Sequence, residues 1–309
     1  MHDDAARLVR GCPVCHFGES TTYAEVAGGR VAMAVVFEYR ECSRCHSVFL
    51  ADGSRQPGGI YTKEYFAATD GDAGLMAKFE RGWQALLHRR RLCRAPVVWK
   101  GLRVLDVGCG TGCWLKFLQA HGCEGTGLDP SEEACRMACG RGAPNVVCGD
   151  LLRHPLRPRS FDVVMAIHVL EHCADPVAAL RELVHLVKPG GWLNIAVPNI
   201  MSWEARRAGS HWYHLDPPYH LCLPSPAGME RLLAEEGVGR VRVIFPVLEY
   251  CQSVLYAALG RRSVSRKALL SLLPAAVFGN FLLARMGRSG VVEFWGCVGD
   301  RSMQAGQRV

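Results

Sequence analysis

Leu102-Arg-Val-Leu-Asp-Val-Gly-Cys-Gly-Thr-Gly112 sets the reading of the whole chain. Leu102 to Val107 is a short apolar run with β-branched residues, broken only by Arg103 and Asp106, and it predicts a buried strand. Gly108, Gly110 and Gly112 follow at alternate positions and open a predicted helix through Trp114, Leu115, Phe117 and Leu118. A strand, a glycine turn and a helix N-terminus present bare backbone N–H groups to a ligand. The spacing is G-x-G-x-G, with Cys113 where a dinucleotide fold places its third glycine. Asp106, inside the strand end, would repel a pyrophosphate but attract a cationic or amino-bearing ligand. The alternative is an ordinary strand-turn-helix that holds no ligand.

Upstream lies a second constellation. Cys12-Pro-Val-Cys15 and Cys42-Ser-Arg-Cys45 are two C-x-x-C knuckles, and between them Tyr23–Val26 and Val31–Tyr39 read as strands around a Gly28-Gly29 turn. Two knuckles on a hairpin can offer four thiolates tetrahedrally, which suits structural zinc at Cys12, Cys15, Cys42 and Cys45. So small a module lacks core of its own, and metal would supply its folding energy. The alternative is a set of reduced thiols that only resembles a ribbon. His16 and His46 follow the knuckles where glycine is usual and are candidate alternative ligands.

Downstream of Gly112, strands and helices alternate, which predicts a parallel sheet with crossover helices. The strands are read at Glu124–Leu128, Asn145–Cys148, Phe161–Ile167, Trp192–Val197, Val241–Phe245 and Val291–Val298. The run Glu124–Leu128 ends in Asp129-Pro130-Ser131, where a carboxylate can take both ribose hydroxyls of a nucleoside and Ser131 can cap the next helix. Asp175-Pro176 starts a helix expected to run to Val187, closed by Lys188-Pro-Gly-Gly191. Residues 75–94 suit an amphipathic helix whose Arg89-Arg90-Arg91 run is expected to be a solvated face.

Val104-Leu-Asp-Val-Gly-Cys-Gly-Thr-Gly112 resembles motif I of the class I S-adenosylmethionine (SAM) methyltransferases, V-L-D-x-G-C-G-x-G. Phe161-Asp-Val-Val-Met-Ala-Ile-His168-Val-Leu-Glu171-His172 resembles that family's region further on. The order C-P-x-C…C-x-x-C, then Tyr61-x-x-x-Tyr65-Phe66, then motif I resembles many bacterial methyltransferases that carry an N-terminal ribbon. The resemblance implies an α/β fold, a seven-stranded and mostly parallel Rossmann-like sheet whose last strand, Val291–Val298, runs antiparallel, preceded by a small zinc ribbon. It implies SAM as cofactor, held by Asp106, Gly108, Cys109, Gly110, Gly112, Asp129, Pro130, Asp150, Leu151 and His168. Asp150 would meet the adenine amino group, Asp162 would be structural, and Tyr61, Tyr65 and Phe66 would lie over the pocket. His168 keeps the alternative of a plain strand-end histidine, and the three aromatics that of docking the linker on the core.

Residues 198–224 are the least regular part of the predicted core. His211-Trp-Tyr-His214-Leu-Asp216-Pro-Pro-Tyr-His220 packs three histidines and three aromatics where such folds bind substrates. In the resembling family the histidine of a P-x-H element faces the acceptor, and His220 matches it. A histidine suits removal of a proton from a hydroxyl, because its ordinary pKa lies near neutrality. The three histidines as a transition-metal site, and a purely structural aromatic loop, are the alternatives.

The domains are read as a ribbon-like module at 10–50, a linker with the aromatic segment at 51–74, the SAM-binding core at 75–250, a basic apolar segment at 251–290 and a last strand at 291–300. Of the net charge of +7, six units fall in residues 251–290, which hold Arg261, Arg262, Arg266, Lys267, Arg285 and Arg288 and no Asp or Glu. An apolar helix pair flanked by bases fits a surface lying on anionic lipid, and equally a hairpin packed on the sheet with its bases solvated. Apolar content of 49% and charged content of 21% are those of a globular protein. The fifteen cysteines, with no basic stretch and apolar core after Met1-His2-Asp3-Asp4, lead us to expect a cytoplasmic protein, with peripheral contact at the inner membrane face.

The expected function is O-methylation of a small molecule, sugar or lipid-linked intermediate, without a catalytic metal, since SAM brings its own leaving group. The alternatives are a protein or RNA methyltransferase gripping its substrate with the ribbon, and a non-catalytic SAM-binding scaffold. Nucleic acid is not expected, because residues 11–50 offer only Arg30, Arg40 and Arg44 as bases.

Overall fold

The computed structural model describes residues 11–27, 35–51, 75–143, 145–261 and 265–299. The linker with Tyr61, Tyr65 and Phe66, and the Gly28-Gly29 turn, lie outside the described residues.

Two sheets carry the chain. The smaller begins with β1 (Ser20–Ala27), β2 (Val36–Cys42) and β3 (Val48–Leu50), each antiparallel to the next. The rest of the chain supplies α1 (Leu75–Arg94), β4 (Arg103–Val107), α2 (Cys113–Ala120), β5 (Glu124–Asp129), α3 (Glu132–Gly140), β6 (Val146–Cys148) and β7 (Phe161–Ile167). Then come α4 (Pro176–Leu186), β8 (Val187–Pro198), α5 (Trp203–Ala208), β9 (Cys222–Leu223), α6 (Pro226–Glu235), β10 (Val238–Ile244), α7 (Ser253–Leu259), α8 (Arg266–Arg285) and β11 (Val291–Val298). The large sheet has seven strands in the order β10-β11-β8-β7-β4-β5-β6. Its pairings are parallel except at β11, which runs antiparallel to β8 and β10, as expected.

The central strand β4 pairs on both sides, Leu105 with Thr126 and with Val164, and its Val104, Leu105 and Val107 are buried. A strand covered on both faces reads as a nearly continuous apolar run, which is why Leu102–Val107 was recognisable. The parallel register brings the carboxyl ends of β4, β5 and β7 to one edge, so Gly108, Asp129 and His168 emerge side by side. Helix starts are fixed by side chains. Ser131 accepts from the Ala134 N–H (3.3 Å), and Asp175, ahead of Pro176, accepts from the Ala178 N–H (2.8 Å). At the other end of the sheet Asp162 accepts from the Arg103 N–H (2.8 Å) and pairs with Lys188 (2.6 Å), a structural role.

Three features differ from the sequence reading. Helix α4 stops at Leu186 with Val187 as its extended cap, which already pairs with Phe161, and β8 runs on through Lys188-Pro-Gly-Gly191 instead of a turn. Arg89 and Arg90 are exposed as expected, but Arg91 is buried and makes a two-pronged bond to Glu249 (2.7 and 2.9 Å). The small sheet is completed from the core: β9 pairs with β3, Val48 opposite Leu223 and Phe49 opposite Cys222. Leu50 adds an N–H bond to the Leu221 carbonyl (2.9 Å), and Ser47 accepts from the Ser225 N–H (2.9 Å). Phe49 and the four ribbon cysteines share one buried cluster with Leu105, Leu128 and Met229.

Candidate active site and ribbon centre

The two knuckles fold alike. The His16 N–H returns to the Cys12 carbonyl (2.8 Å) and the His46 N–H to the Cys42 carbonyl (3.0 Å). His16 and His46 occupy left-handed backbone (φ 56° and 57°), the position glycine would favour, with their rings exposed. They stand outside the thiol cluster. Cys12, Cys15, Cys42 and Cys45 are buried, with their four sulfurs within 4.8 Å of one another. Cys12 and Cys45 lie 3.6 Å apart and Cys15 and Cys42 3.4 Å apart. Metal–sulfur bonds of about 2.3 Å in a tetrahedron need sulfurs about 3.8 Å apart. The donor set therefore fits a closed tetrahedral metal, and it has no open position for catalysis.

At the carboxyl edge of the large sheet lies a cavity of about 410 Å³, within the roughly 300–1,000 Å³ usual for small-molecule sites. Of the residues expected to hold a cofactor, Gly108, Gly110, Asp129, Pro130, Asp150, Leu151 and His168 line it. Gly110 has φ 52°, and a Cβ added there would meet only open space, so its bare backbone borders the cavity. The Asp129 carboxylate accepts from the Gly110 N–H (2.8 Å) and from the Ser131 N–H (2.9 Å), which ties the glycine turn to the end of β5. Burial pushes the Asp129 pKa up, against those two donors. Asp150 is held by the Leu152 N–H (2.8 Å).

The other three stand outside the lining. Asp106 is buried in β4, where burial lifts its pKa to about 7 against the pull of Arg91, with the Asp129 charge adding to the rise. Cys109 turns its sulfur into the packing against Gly127, where an added Cβ would come within 2.6 Å of it. Gly112 has φ 75°, and an added Cβ would come within 2.7 Å of Ala143 and 3.0 Å of Ala138, so it serves close packing of α2 on α3.

The opposite half of the cavity is built from rings and acids. His168, at φ 57°, sits between two carboxylates, its Nδ1 3.0 Å from Glu171 and its Nε2 3.2 Å from Glu249. Burial alone would lower its pKa, but these two partners raise it to about 9, so the ring is an imidazolium at neutral pH. Burial likewise works against Glu171, whose carboxyl is nevertheless held at about 2 by His168. Arg91 and His168 hold Glu249 well below the usual carboxylate range despite its burial.

His220 lines this half. Its Nδ1 lies 2.7 Å from the His214 carbonyl, which can only accept, so the ring carries its proton on Nδ1 and keeps the Nε2 lone pair. His172 is held alike, Nδ1 to the Tyr219 carbonyl at 2.9 Å. Burial, with the His172 charge adding to it, lowers the His220 pKa to about 4 and keeps the ring neutral. Of the three histidines in 211–220, His211 is exposed, and the rings of His214 and His220 stack at 6.5 Å. The ligand atoms that converge are those of Glu171, His172 and His220, within 4.8 Å of one another. Tyr213, Tyr219 and Tyr250 complete the wall. The sequence reading quoted Glu171 and His172 without giving them a role, and nothing local marks Glu249 or Tyr250, which lie just beyond β10.

A profile described as a methyltransferase domain matches residues 76–239, more than half of the chain. The chain belongs to the methyltransferase domain family. Curated members similar to it include the ubiquinone biosynthesis O-methyltransferases of Bordetella bronchiseptica, 35% identical over 105 residues (32% of this chain, 44% of that protein), and of Albidiferax ferrireducens, 37% identical over 106 residues (32% and 42%). The chain spans less than half the length of these relatives. Among solved structures, a chain in the complex between the Haloferax volcanii Trm112 methyltransferase activator and a methyltransferase superposes with a TM-score of 0.53 at 22% identity, covering 77% of this chain and 96% of that one. A SAM-dependent methyltransferase from Archaeoglobus fulgidus gives 0.50 at 22% identity (72% and 100%). These two likenesses concern the methyltransferase fold alone.

Proposed function

We propose that this protein transfers a methyl group from SAM to an oxygen of a small-molecule acceptor. One observation carries the reading: a single cavity joins the glycine turn and Asp129 to the neutral, Nδ1-protonated His220. SAM supplies an activated methyl group and its own leaving group. On this chain Gly110 and Asp129 bind the donor, and Asp150, Leu151 and His168 line the same cavity. His220 Nε2 takes the hydroxyl proton as the oxygen attacks, and the Glu171 carboxylate stabilises the imidazolium so formed. The tyrosine wall excludes water and holds the acceptor in line. A sugar hydroxyl and a lipid-linked hydroxyl both suit this wall, and the apolar 251–290 segment favours the second. Structural zinc at the four thiols and a reducing cytoplasm belong to the same reading, which all fifteen cysteines being free supports. A scaffolding role is less favoured, because it leaves the half-buried His172–His220 pair unused, and a protein or RNA acceptor because the cavity this pair lines is of small-molecule size.

A second reading is favoured by one atom. Glu171 Oε2 is buried without a hydrogen-bond partner among the described residues, beside His172 and His220. A divalent cation held by these three would activate the acceptor oxygen in place of a free base. Methyl-labelled SAM incubated with phenolic and sugar-lipid acceptors tests both readings. Label on oxygen that survives a chelator supports the base, and chelator-sensitive label supports the cation. Label only on nitrogen, protein or RNA would overturn both.

A further inference from the structure

The helix α8 presents the wrong face to water for a soluble helix. Its inward side is anchored: Ala276 and Asn280 are buried, and the Asn280 amide donates to the Val247 carbonyl (2.7 Å). The outward side carries Leu270, Leu272, Phe278, Phe281 and Leu282, continued by Met286 just beyond the helix, all exposed, with Phe278 at 63% and Met286 at 67%. A helix packed on a soluble core normally turns polar residues outward. Over Ala268–Arg285 the mean hydropathy is 1.6, and only 11% of the window is buried.

The charge around this face has one sign. Residues 251–290 hold six bases and no acid. Arg261, Arg285 and Arg288 form no ion pair among the described residues and border the apolar face at its two ends. Apolar side chains framed by unpaired bases complement an anionic lipid surface, whose headgroups pair with the bases while its acyl boundary takes the rings. Pro274 inside the helix and the anchoring of Asn280 to the core favour a helix lying in the interface over one that crosses it.

We propose that the outward face of α8 docks on the surface of an anionic lipid bilayer. The same hairpin touches the acceptor end of the cavity. Tyr256 of α7 lies 5.7 Å from the ring of Tyr213, and Tyr213 lies 5.9 Å from Tyr250, both of which line the cavity. The docked hairpin is thus itself in contact with that wall, and, resting on the methyl-transfer reading, the acceptor is an amphiphile with its hydroxyl in the cavity and its tail in the bilayer.

The test is flotation of the full chain with vesicles of phosphatidylcholine alone or mixed with an equal part of phosphatidylglycerol. The wild type should float with the mixed vesicles at low salt and fall away as salt rises. Phe278→Gln with Phe281→Gln should weaken partitioning roughly a hundred-fold, because two large apolar side chains no longer leave water. Arg285→Gln with Arg288→Gln should weaken it roughly thirty-fold. A wild type that ignores both vesicle types at low salt overturns the proposal. So does vesicle binding that is indifferent to the phenylalanine pair, or concentration-dependent self-association that the pair abolishes while vesicles are ignored. Calorimetry with SAM runs alongside: a protein that docks but does not bind SAM upholds the surface and sinks the methyl-donor reading alone.

Discussion

The hydroxyl of Tyr39 donates a 2.8 Å hydrogen bond to the backbone carbonyl of His220, 181 positions along the chain. Tyr39 lies on β2 of the ribbon and is fully buried, while His220 lines the cavity. The next residue, Leu221, gives its N–H to the Glu171 carbonyl (2.7 Å) and accepts from the Leu50 N–H. The ribbon thus forms part of the frame that fixes the His220 ring.

Tyr39→Phe removes that donor from the half-buried His220 carbonyl. Stability to denaturant should fall by about 1–2 kcal/mol. The His220 imidazole resonances should move, since the residue loses one of its fixed points. Unchanged resonances in a destabilised protein would confine Tyr39 to packing.

Metal content should be one zinc per chain, and Cys42→Ser should abolish it. Because β3 and β9 share a ladder, the damage should reach the core instead of stopping at the ribbon. Structural zinc in small ribbons is worth roughly 10 kcal/mol or more of apparent binding free energy. Amide exchange at Leu50 and Leu221 should therefore quicken in the variant. Zinc loss with unchanged exchange at Leu221 would show the ribbon to be a detachable appendage.

The parts of the molecule legible from sequence are those whose cause is local. Strand β4 showed as an apolar run because both its faces are covered, and Asp129 and Gly110 were marked by their place after a strand. The knuckles were marked by spacing. Motif membership did not say which members line the cavity: Cys109 and Gly112 pack, and Asp106 is buried in β4. Arg91 looked like part of a solvated basic run because its partner, Glu249, lies 158 positions away. Two residues are too few to display a period, so β9 was invisible. The density of histidines in 211–220 drew attention to His211, whereas the fold brings His172 to His220.

Asp129 is expected to bind the donor and to hold the turn. Asp129→Ala should cost SAM about 1.5–3 kcal/mol of binding, the value of charge-assisted hydrogen bonds. It also frees the Gly110 and Ser131 N–H groups, so some loss of stability should accompany it. Asp129→Asn keeps the shape and one acceptor and should fall between. Equal SAM affinity in all three proteins would remove Asp129 from the site.

The His168 ring gives the fold an alkaline limit. Its folded pKa of about 9 lies above the ordinary 6.5, because Glu171 and Glu249 stabilise the charged form. A raised pKa contributes stability that is fully present below the unfolded value and is lost as pH rises through the folded one. The loss should therefore run from about pH 6.5 to about pH 9 and amount to about 3 kcal/mol, 1.36 kcal/mol for each pH unit. The depressed pKa values of Glu171 and Glu249 partly report the same contacts with His168, so that share is counted once. Asp106 and Glu204, both raised to about 7 chiefly by burial, have the same sign but are largely spent by neutrality, so with the ribbon thiols held by metal the slope above pH 7 is that of His168. Unfolding free energies by denaturant should fall across that range in the wild type. In His168→Gln they should start lower and stay flat. A wild-type curve that is level from pH 7 to 9 would mean that the ring is neutral between its two carboxylates.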